Sequence, residues 1–375
     1  MAKFLKSFFN GLIKVCKWFY YRLLGIFKLL FSTKYYCQPS YFPEYSSLRK
    51  SSFQVFFEQF WNVLKYGFIN DFYFTYGFDI KRFRDKSQYV DYSEFRARRN
   101  FYLALSPDVP ASVLRNKWVF GLYAKQIGLK TPILYALVDK NTVYNPIKNE
   151  RQPFDVFFTT HHKMDCYCKA IGGECGMSVF HLLVEDGVIK LNGEIVSIED
   201  LQVVLGTGQY LLQETVKNQI KEISEIYSLS INTIRLETIR NPHTGEIEIL
   251  PPLLRVGANG NTIDNWAKGG LVIEIDSDNC ILGKYGWYKA GYGTKTTSHP
   301  DTGMVFEGHY VPFLHEAIED AKKFHRCLPG MHSIGWDIAI TEDGPVFIEG
   351  NDNWELSLVQ TCSHGLYSDF KRLFY

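Results

Sequence analysis

The residues best placed to do chemistry lie near the C-terminus, in Gly335 to Leu358, where two short alternating runs flank Glu342-Asp343-Gly344-Pro345. Alternation interrupted by Asp-Gly-Pro reads as a β-hairpin with its turn centred on Asp343. That register sets Asp337 opposite Glu349, and a period of two then puts Asp337, Ala339, Phe347, Glu349 and Asn351 on one face. Ile338, Ile340, Val346 and Ile348 take the other face and can pack on a core. A pair of carboxylates beside an amide is a set of hard oxygen ligands. Such a set suits Mg²⁺, which binds through a few carboxylates and fills its octahedron with phosphate oxygens and water. Taken alone, the hairpin could equally face solvent, with acids that only keep it wet.

Phosphate also needs cations and N–H groups. Lys169 ends a short strand and runs into Ile171-Gly172-Gly173-Glu174-Cys175-Gly176. There, backbone N–H groups can close over phosphate oxygens while the ammonium takes their charge. The loop matches neither G-x-x-x-x-G-K-[ST] nor a helix-opening G-x-G-x-x-G, and by itself it could be a plain turn. Tyr210 to Val216 is an apolar strand ending in Gln213 and Glu214. Its backbone edge could meet a base, with Glu214 near the base or ribose, or it could simply be a core strand leaving its sheet. Arg235 and Arg255 lie inside two alternating runs, Ile231 to Ile239 and Ile247 to Val256, around the turn Asn241 to Gly245. An arginine in a sheet must find a carboxylate, a phosphate or a surface partner.

The elements that position these groups read as follows. Asn116 caps a helix that ends at Gly128, and Thr131-Pro132 leads into a buried strand. Asp155 to Thr159, Cys166 to Lys169 and Ser178 to Leu183 read as short strands, and Val311 to Arg326 as an amphipathic helix. Phe53, Phe56, Phe57, Phe60, Trp61 and Leu64 have helical spacing. The basic run from Asp79 to Asn100 could be an anion patch or a solvated helix face. With 375 residues the chain suits two or three domains. A net charge of +1 argues against nucleic-acid binding by bulk electrostatics. The scattered cysteines exclude a disulfide framework and fit a reducing cytosol. Cys166, Cys168 and Cys175, near His161 and His162, lack the paired knuckles that structural zinc wants.

The first 34 residues hold Lys3, Lys6, Lys14, Lys17, Arg22, Lys28 and Lys34, and the first acid is Glu44. Wound at about 100° per residue, all the lysines up to Lys28 form a narrow stripe, with Arg22 off it and aromatic and aliphatic residues around the rest. No apolar run reaches the roughly 18 residues that spanning requires. A basic, aromatic amphipathic helix of this kind lies in a membrane interface, or else packs on the protein's own body or a partner.

The order of these features resembles that of the ATP-grasp enzymes, whose relatives include D-alanine–D-alanine ligase and biotin carboxylase. It is most similar to the sugar-transfer-associated ATP-grasp family found with bacterial surface-polysaccharide genes. The resemblance rests on Leu114-Arg115-Asn116-Lys117-Trp118, Gly128-Leu129-Lys130-Thr131-Pro132, Asn232-Thr233-Ile234-Arg235, Leu254-Arg255-Val256-Gly257, Gly269-Gly270, His299-Pro300-Asp301-Thr302-Gly303 and Gly335-Trp336-Asp337, and runs from about residue 112 to the end. It implies an α+β fold, with a pair of subdomains clasping ATP between antiparallel sheets. By position, Lys117 and Lys169 would hold phosphates under the loop carrying Gly172, Gly173 and Gly176. Gln213, Glu214 and Val216 would frame adenine. Asp337, Glu349 and Asn351 would hold a pair of Mg²⁺ ions with Glu349 bridging, and Arg255 and Arg235 would stabilise the transferring charge.

The activity implied is that of an ADP-forming carboxylate–amine ligase working through an acylphosphate on a bacterial surface (capsular) polysaccharide or its precursor. A kinase of the same fold, or a non-catalytic scaffold for glycosyltransferases, stays open. The expected divisions are a basic helix over 1–36, a helical region over 37–111 and subdomains over 112–208 and 209–375. The expected location is cytoplasmic, at the inner face of the membrane, with no nucleic-acid partner. One departure from the pattern is that residues 40–110 show no βαβ substrate domain, which leaves the acceptor unidentified.

Overall fold

The structure, a computed structural model, describes residues 2–106, 108–171 and 179–375. The expected phosphate loop, with Gly172, Gly173 and Gly176, lies outside the described residues, as do the side chains of Lys3, Lys6, Asn10 and Lys14. Before the first strand come helices α1 (Ala2–Phe31), α2 (Ser52–Tyr66), α3 (Tyr92–Leu105), α4 (Asp108–Arg115) and α5 (Lys117–Gln126). Asn116 caps α5 as its sequence predicts, its Oδ1 accepting from the N–H groups of Trp118 and Val119 at 3.0 and 3.1 Å.

The first antiparallel sheet contains β1 (Leu134–Asp139), β2 (Thr142–Asn145), β3 (Glu150–Pro153), β4 (Lys163–Ala170), β5 (Val179–Glu185), β6 (Val188–Leu191), β7 (Glu194–Ile195) and β8 (Gln209–Glu214). Its order is β3-β2-β1-β8-β4-β5-β6-β7. β8 therefore sits mid-sheet between β1 and β4, and the sheet draws on residues to both sides of Leu205–Gly208. Helices α6 (Phe154–Thr160) and α7 (Ile198–Leu205) cover its apolar face. α6 overturns the strand expected over Asp155 to Thr159. Phe154, Phe157 and Phe158 recur at helical spacing and are all buried in this core, so packing overrides a short β-prone composition.

The second sheet contains β9 (Thr233–Arg240), β10 (Ile247–Ile249), β11 (Leu253–Val256), β12 (Leu271–Asp276), β13 (Ile281–Tyr288), β14 (Lys295–Thr296), β15 (Ser333–Thr341) and β16 (Gly344–Asn351). It is ordered β14-β13-β12-β11-β9-β15-β16, with β10 also on β9. Between the sheets runs the short α8 (Lys221–Ser224), and α9 (Leu314–Arg326), α10 (Leu356–Cys362) and α11 (Tyr367–Phe374) follow. One face of the second sheet (Ile234, Leu254, Ile273, Trp336, Ile338) packs on α4, α5 and α9 in the largest core. Phe324 of α9 packs on both Trp336 and Phe347 there.

The opposite face is divided. Ile239, Leu253, Val272 and Trp287 are covered by the aromatic N-terminal segment, α3, α10 and α11. Arg235, Arg255 and Asp337, on the same face by alternation, face a cavity instead.

The closing hairpin has the expected pair, Asp337 opposite Glu349, but not the expected turn. Thr341 pairs with Gly344 and Ile338 with Phe347, and a bulge between Asp337 and Ile338 takes up the extra residue. The bulge reverses parity along β16. Phe347 accordingly joins Trp336 and Ile338 in the core, Val346 pairs with Ala339, and Ile348 turns to the cavity, each opposite to the simple alternation.

Candidate functional site

A cavity of about 2160 Å³ lies between the sheets, with walls from both and from the N-terminal segment. Lys169 on β4 reaches it from the first sheet, and Lys117 at the start of α5 also lines it. Arg235, Arg255, Asp337, Glu349 and Asn351 reach it from the second sheet. Alternation on β4 explains the first side: Cys166 and Cys168 are buried in the core beneath, so Tyr167 and Lys169 face out.

The second side is a clamp. Asp337 is buried and bound at both oxygens, Oδ1 by Arg235 Nη1 at 2.9 Å and Oδ2 by Arg255 Nη1 at 3.0 Å. Each arginine is steadied by a further carboxylate. Arg235 Nε donates to Glu237 Oε1 at 2.9 Å, and Arg255 Nη2 lies 3.1 Å from Asp264 Oδ1, while Asp264 Oδ2 accepts from the Thr233 hydroxyl. Burial raises the Asp337 carboxyl, but Arg255 and Arg235 outweigh it and hold the group at about 2. Burial pushes Glu237 and Asp264 up. On the facing wall, loss of hydration, opposed by Glu349 and aided by Lys117, lowers the Lys169 ammonium to about 8. Lys169 Nζ donates to Gln213 Oε1 at 2.6 Å.

The donor set fits a hard divalent cation. Each Asp337 oxygen spends one lone pair on a guanidinium and keeps another. Glu349 sits directly across the ladder, and the Asn351 amide lies 3.2 Å from Glu349 Oε1. Among the described residues no three His, Cys, Asp or Glu side chains cluster as metal ligands. Asp337, Glu349 and Asn351 would give an ion part of its coordination shell and leave places for phosphate and water.

The three residues expected at adenine lie on β8 and just beyond it. Gln213 is buried and engaged with Lys169. Glu214 accepts from the Ile133 N–H and the Tyr135 hydroxyl, both at 3.4 Å, and neither it nor the half-buried Val216 is on the cavity wall. His181 on β5 does line that wall and bonds Asp165 Oδ1 at 2.9 Å. Asp165 also accepts from Thr215 at 2.7 Å and from Lys217 at 2.6 Å. Sequence reasoning passed over Glu237, Asp264, Asp165 and His181. Glu237 was within reach, since it lies two residues from Arg235 on one strand face. Asp264 lies in an aperiodic loop, and only the need of Arg255 for a partner hinted at it.

Comparison with curated proteins gives no match. Among solved structures the chain is similar to D-alanine–D-alanine ligase from Helicobacter pylori, at 13% identity and a TM-score of 0.39, over 70% of this chain and 57% of that one. It is similar to the same ligase from Bacillus anthracis at 12% identity and a TM-score of 0.38, over 71% and 65% of the two chains. The corresponding values for N5-carboxyaminoimidazole ribonucleotide synthetase from Thermotoga maritima are 14%, 0.36, 69% and 48%. The chain spans about half to two thirds of the length of these structures. By sequence, the pattern of one family, described as sugar-transfer associated ATP-grasp, matches residues 96–372. Covering most of the chain, including every site residue named on the second sheet, that match makes this protein a member of the sugar-transfer associated ATP-grasp family, with an α+β ATP-grasp fold.

Proposed function

We propose that this chain is an ATP-dependent, ADP-forming carboxylate–amine ligase that works through an acylphosphate. Its acceptor would be a bacterial surface polysaccharide or a precursor, joined to an amino acid or amine. The observation that carries this reading is the clamp itself: Asp337 fixed between Arg235 and Arg255, opposite Glu349, with Lys169 on the facing wall. Family membership supports the nucleotide. The cavity, larger than the ~300–1,000 Å³ typical of a single small-molecule pocket, supports a second occupant beside it.

The chain's residues divide the work by charge. Lys117 and Lys169 neutralise the phosphate tail, and that negative charge raises the lowered pKa of Lys169 and keeps it an ammonium. Arg255 and Arg235, held rigid by Asp264 and Glu237, need no reorganisation as charge develops on the transferring group. Mg²⁺ held by Asp337, Glu349 and Asn351 would neutralise charge across the β- and γ-phosphates. The bond from the γ-phosphorus to ADP breaks as an oxygen of the acceptor carboxylate bonds to it. The amine nitrogen then attacks the acyl carbon, a C–N bond forms, phosphate leaves, and the ammonium proton passes to water. No enzyme nucleophile is required, so catalysis is positioning and electrostatics.

Asp337→Asn would leave the buried arginines partly unpaired, and breaking such pairs costs about 3–5 kcal/mol. Glu349→Gln, at a carboxylate outside the buried Arg235–Asp337–Arg255 ion pairs, is the cleaner probe. It should lower acceptor-dependent ADP release about 100-fold, the ~3 kcal/mol of one lost electrostatic contact, with an unchanged melting temperature. Hydroxylamine added to the wild-type reaction should trap an acyl hydroxamate. Full turnover by Glu349→Gln would refute the reading, and ADP release with no trapped hydroxamate would mark a kinase.

A further inference from the structure

The N-terminal helices present an unpartnered aromatic surface. α1 is fastened to α2 rather than free: Arg22 donates to the carbonyls of Leu64 and Lys65 at 2.9 and 3.0 Å, and Leu29 is fully buried against Val63 and Ile69. With those contacts made, each helix still exposes large apolar side chains. On α1 these include Phe19, Leu23, Phe27, Leu30 and Phe31, the last 73% exposed. On α2, Phe53, Phe57, Trp61 and Leu64 recur at i, i+4, i+8 and i+11, one stripe, with Trp61 67% exposed. Contiguous aromatic exposure of this kind marks an interaction surface.

Charge names the occupant. Lys17 and Lys28 are exposed beside the α1 stripe, Lys34 follows it, and no acid precedes Glu44. Among the described residues no helix is long and apolar enough to cross a membrane. Basic residues flanking exposed Trp and Phe suit a surface that is anionic outside and apolar just beneath, as a bilayer with acidic headgroups is.

We propose that the α1–α2 pair docks this protein on an anionic lipid bilayer and thereby sets the cavity beside it. The chain leaving α1 lines the cavity through Lys34, Tyr35 and Pro39, and the chain leaving α2 lines it through Phe68, Asp71 and Phe72. A membrane-borne, amphiphilic acceptor is the substrate class this arrangement selects. That consequence rests on the ligase reading, whereas the docking does not.

The test is flotation of the full chain with vesicles of phosphatidylcholine alone or mixed with phosphatidylglycerol. Binding should appear with phosphatidylglycerol and weaken as salt is raised. Phe57→Ser with Trp61→Ser should weaken it roughly tenfold or more, as should Lys17→Glu with Lys28→Glu, each with unchanged melting. Equal binding to both vesicle types, no binding to either, or indifference to both variant pairs would overturn the proposal. So would lipid-free dimerisation abolished by Phe57→Ser with Trp61→Ser, since a second copy would then be the occupant. Vesicle binding that persists while no acceptor supports ADP release would uphold the docking and sink only the chemistry.

Discussion

Lys169 stands on the cavity wall with its ammonium donating to the Gln213 amide oxygen, and the charge of Lys117 adds to the loss of hydration in lowering its pKa to about 8. An anion placed against it must push that value back up. Nucleotide binding near pH 8 should therefore take up protons, seen by calorimetry as a heat that varies with the buffer's ionisation enthalpy, and affinity should fall as pH rises through about 8. Lys169→Arg should bind with no such dependence, because a guanidinium stays charged. The same shift acts on stability with a definite sign. A lysine lowered from 10.5 on folding destabilises the fold below about pH 8, and the penalty fades as pH rises toward 10.5. Lys169→Met should thus raise stability at neutral pH by on the order of 1 kcal/mol while weakening nucleotide binding. At this scale the sequence disclosed Asp337, Glu349, Arg235 and Arg255, since strand alternation and unusual sheet arginines are local signals. It concealed Asp264 and His181, whose partners lie on other elements.

The closing hairpin shows what an element adds to its residues. Its cross-strand pair was legible because acidic residues at matching distances from an Asp-Gly turn face each other in a simple ladder. The bulge was not, because Ile348 differs from its neighbours in no way that marks it as the extra residue. Its consequence is large, since Phe347 goes to the core and the carboxylates still meet. Close approach fixes the rest: a Cβ at Gly335 would lie 2.9 Å from Arg235 Nη2 and 2.9 Å from Trp354 Cβ. Gly335→Ala should displace Arg235 from Asp337, destabilise the fold by about 1–3 kcal/mol and lower turnover more than Gly350→Ala, whose Cβ would press first on the apolar Leu114 and Trp336. Denaturant melts with parallel ADP-release assays would check it, and a Gly335→Ala enzyme with wild-type turnover would contradict it.

Across the whole molecule, the second sheet has one face in the main core and shares the other between the cavity and the aromatic N-terminal segment. Buried Arg99 of α3 ties that segment to the cavity loop, reaching the Trp354 carbonyl and Glu355 Oε1 at 3.1 Å. Of this segment only the α2 spacing of Phe53 to Leu64 was legible in the sequence, because the contacts that dock it, such as Phe95 on Trp354 and Tyr41 on Trp287, join residues more than 200 positions apart. The claim on which the proposed chemistry depends is that the two walls close on a nucleotide whose phosphates need both the lysines and the acids. Titrating ATP into the full chain by calorimetry, with and without Mg²⁺, tests it most directly. Mg²⁺-dependent binding that Glu349→Gln weakens is the predicted result, and ATP binding indifferent to both Mg²⁺ and Glu349, or no binding at all, would contradict it.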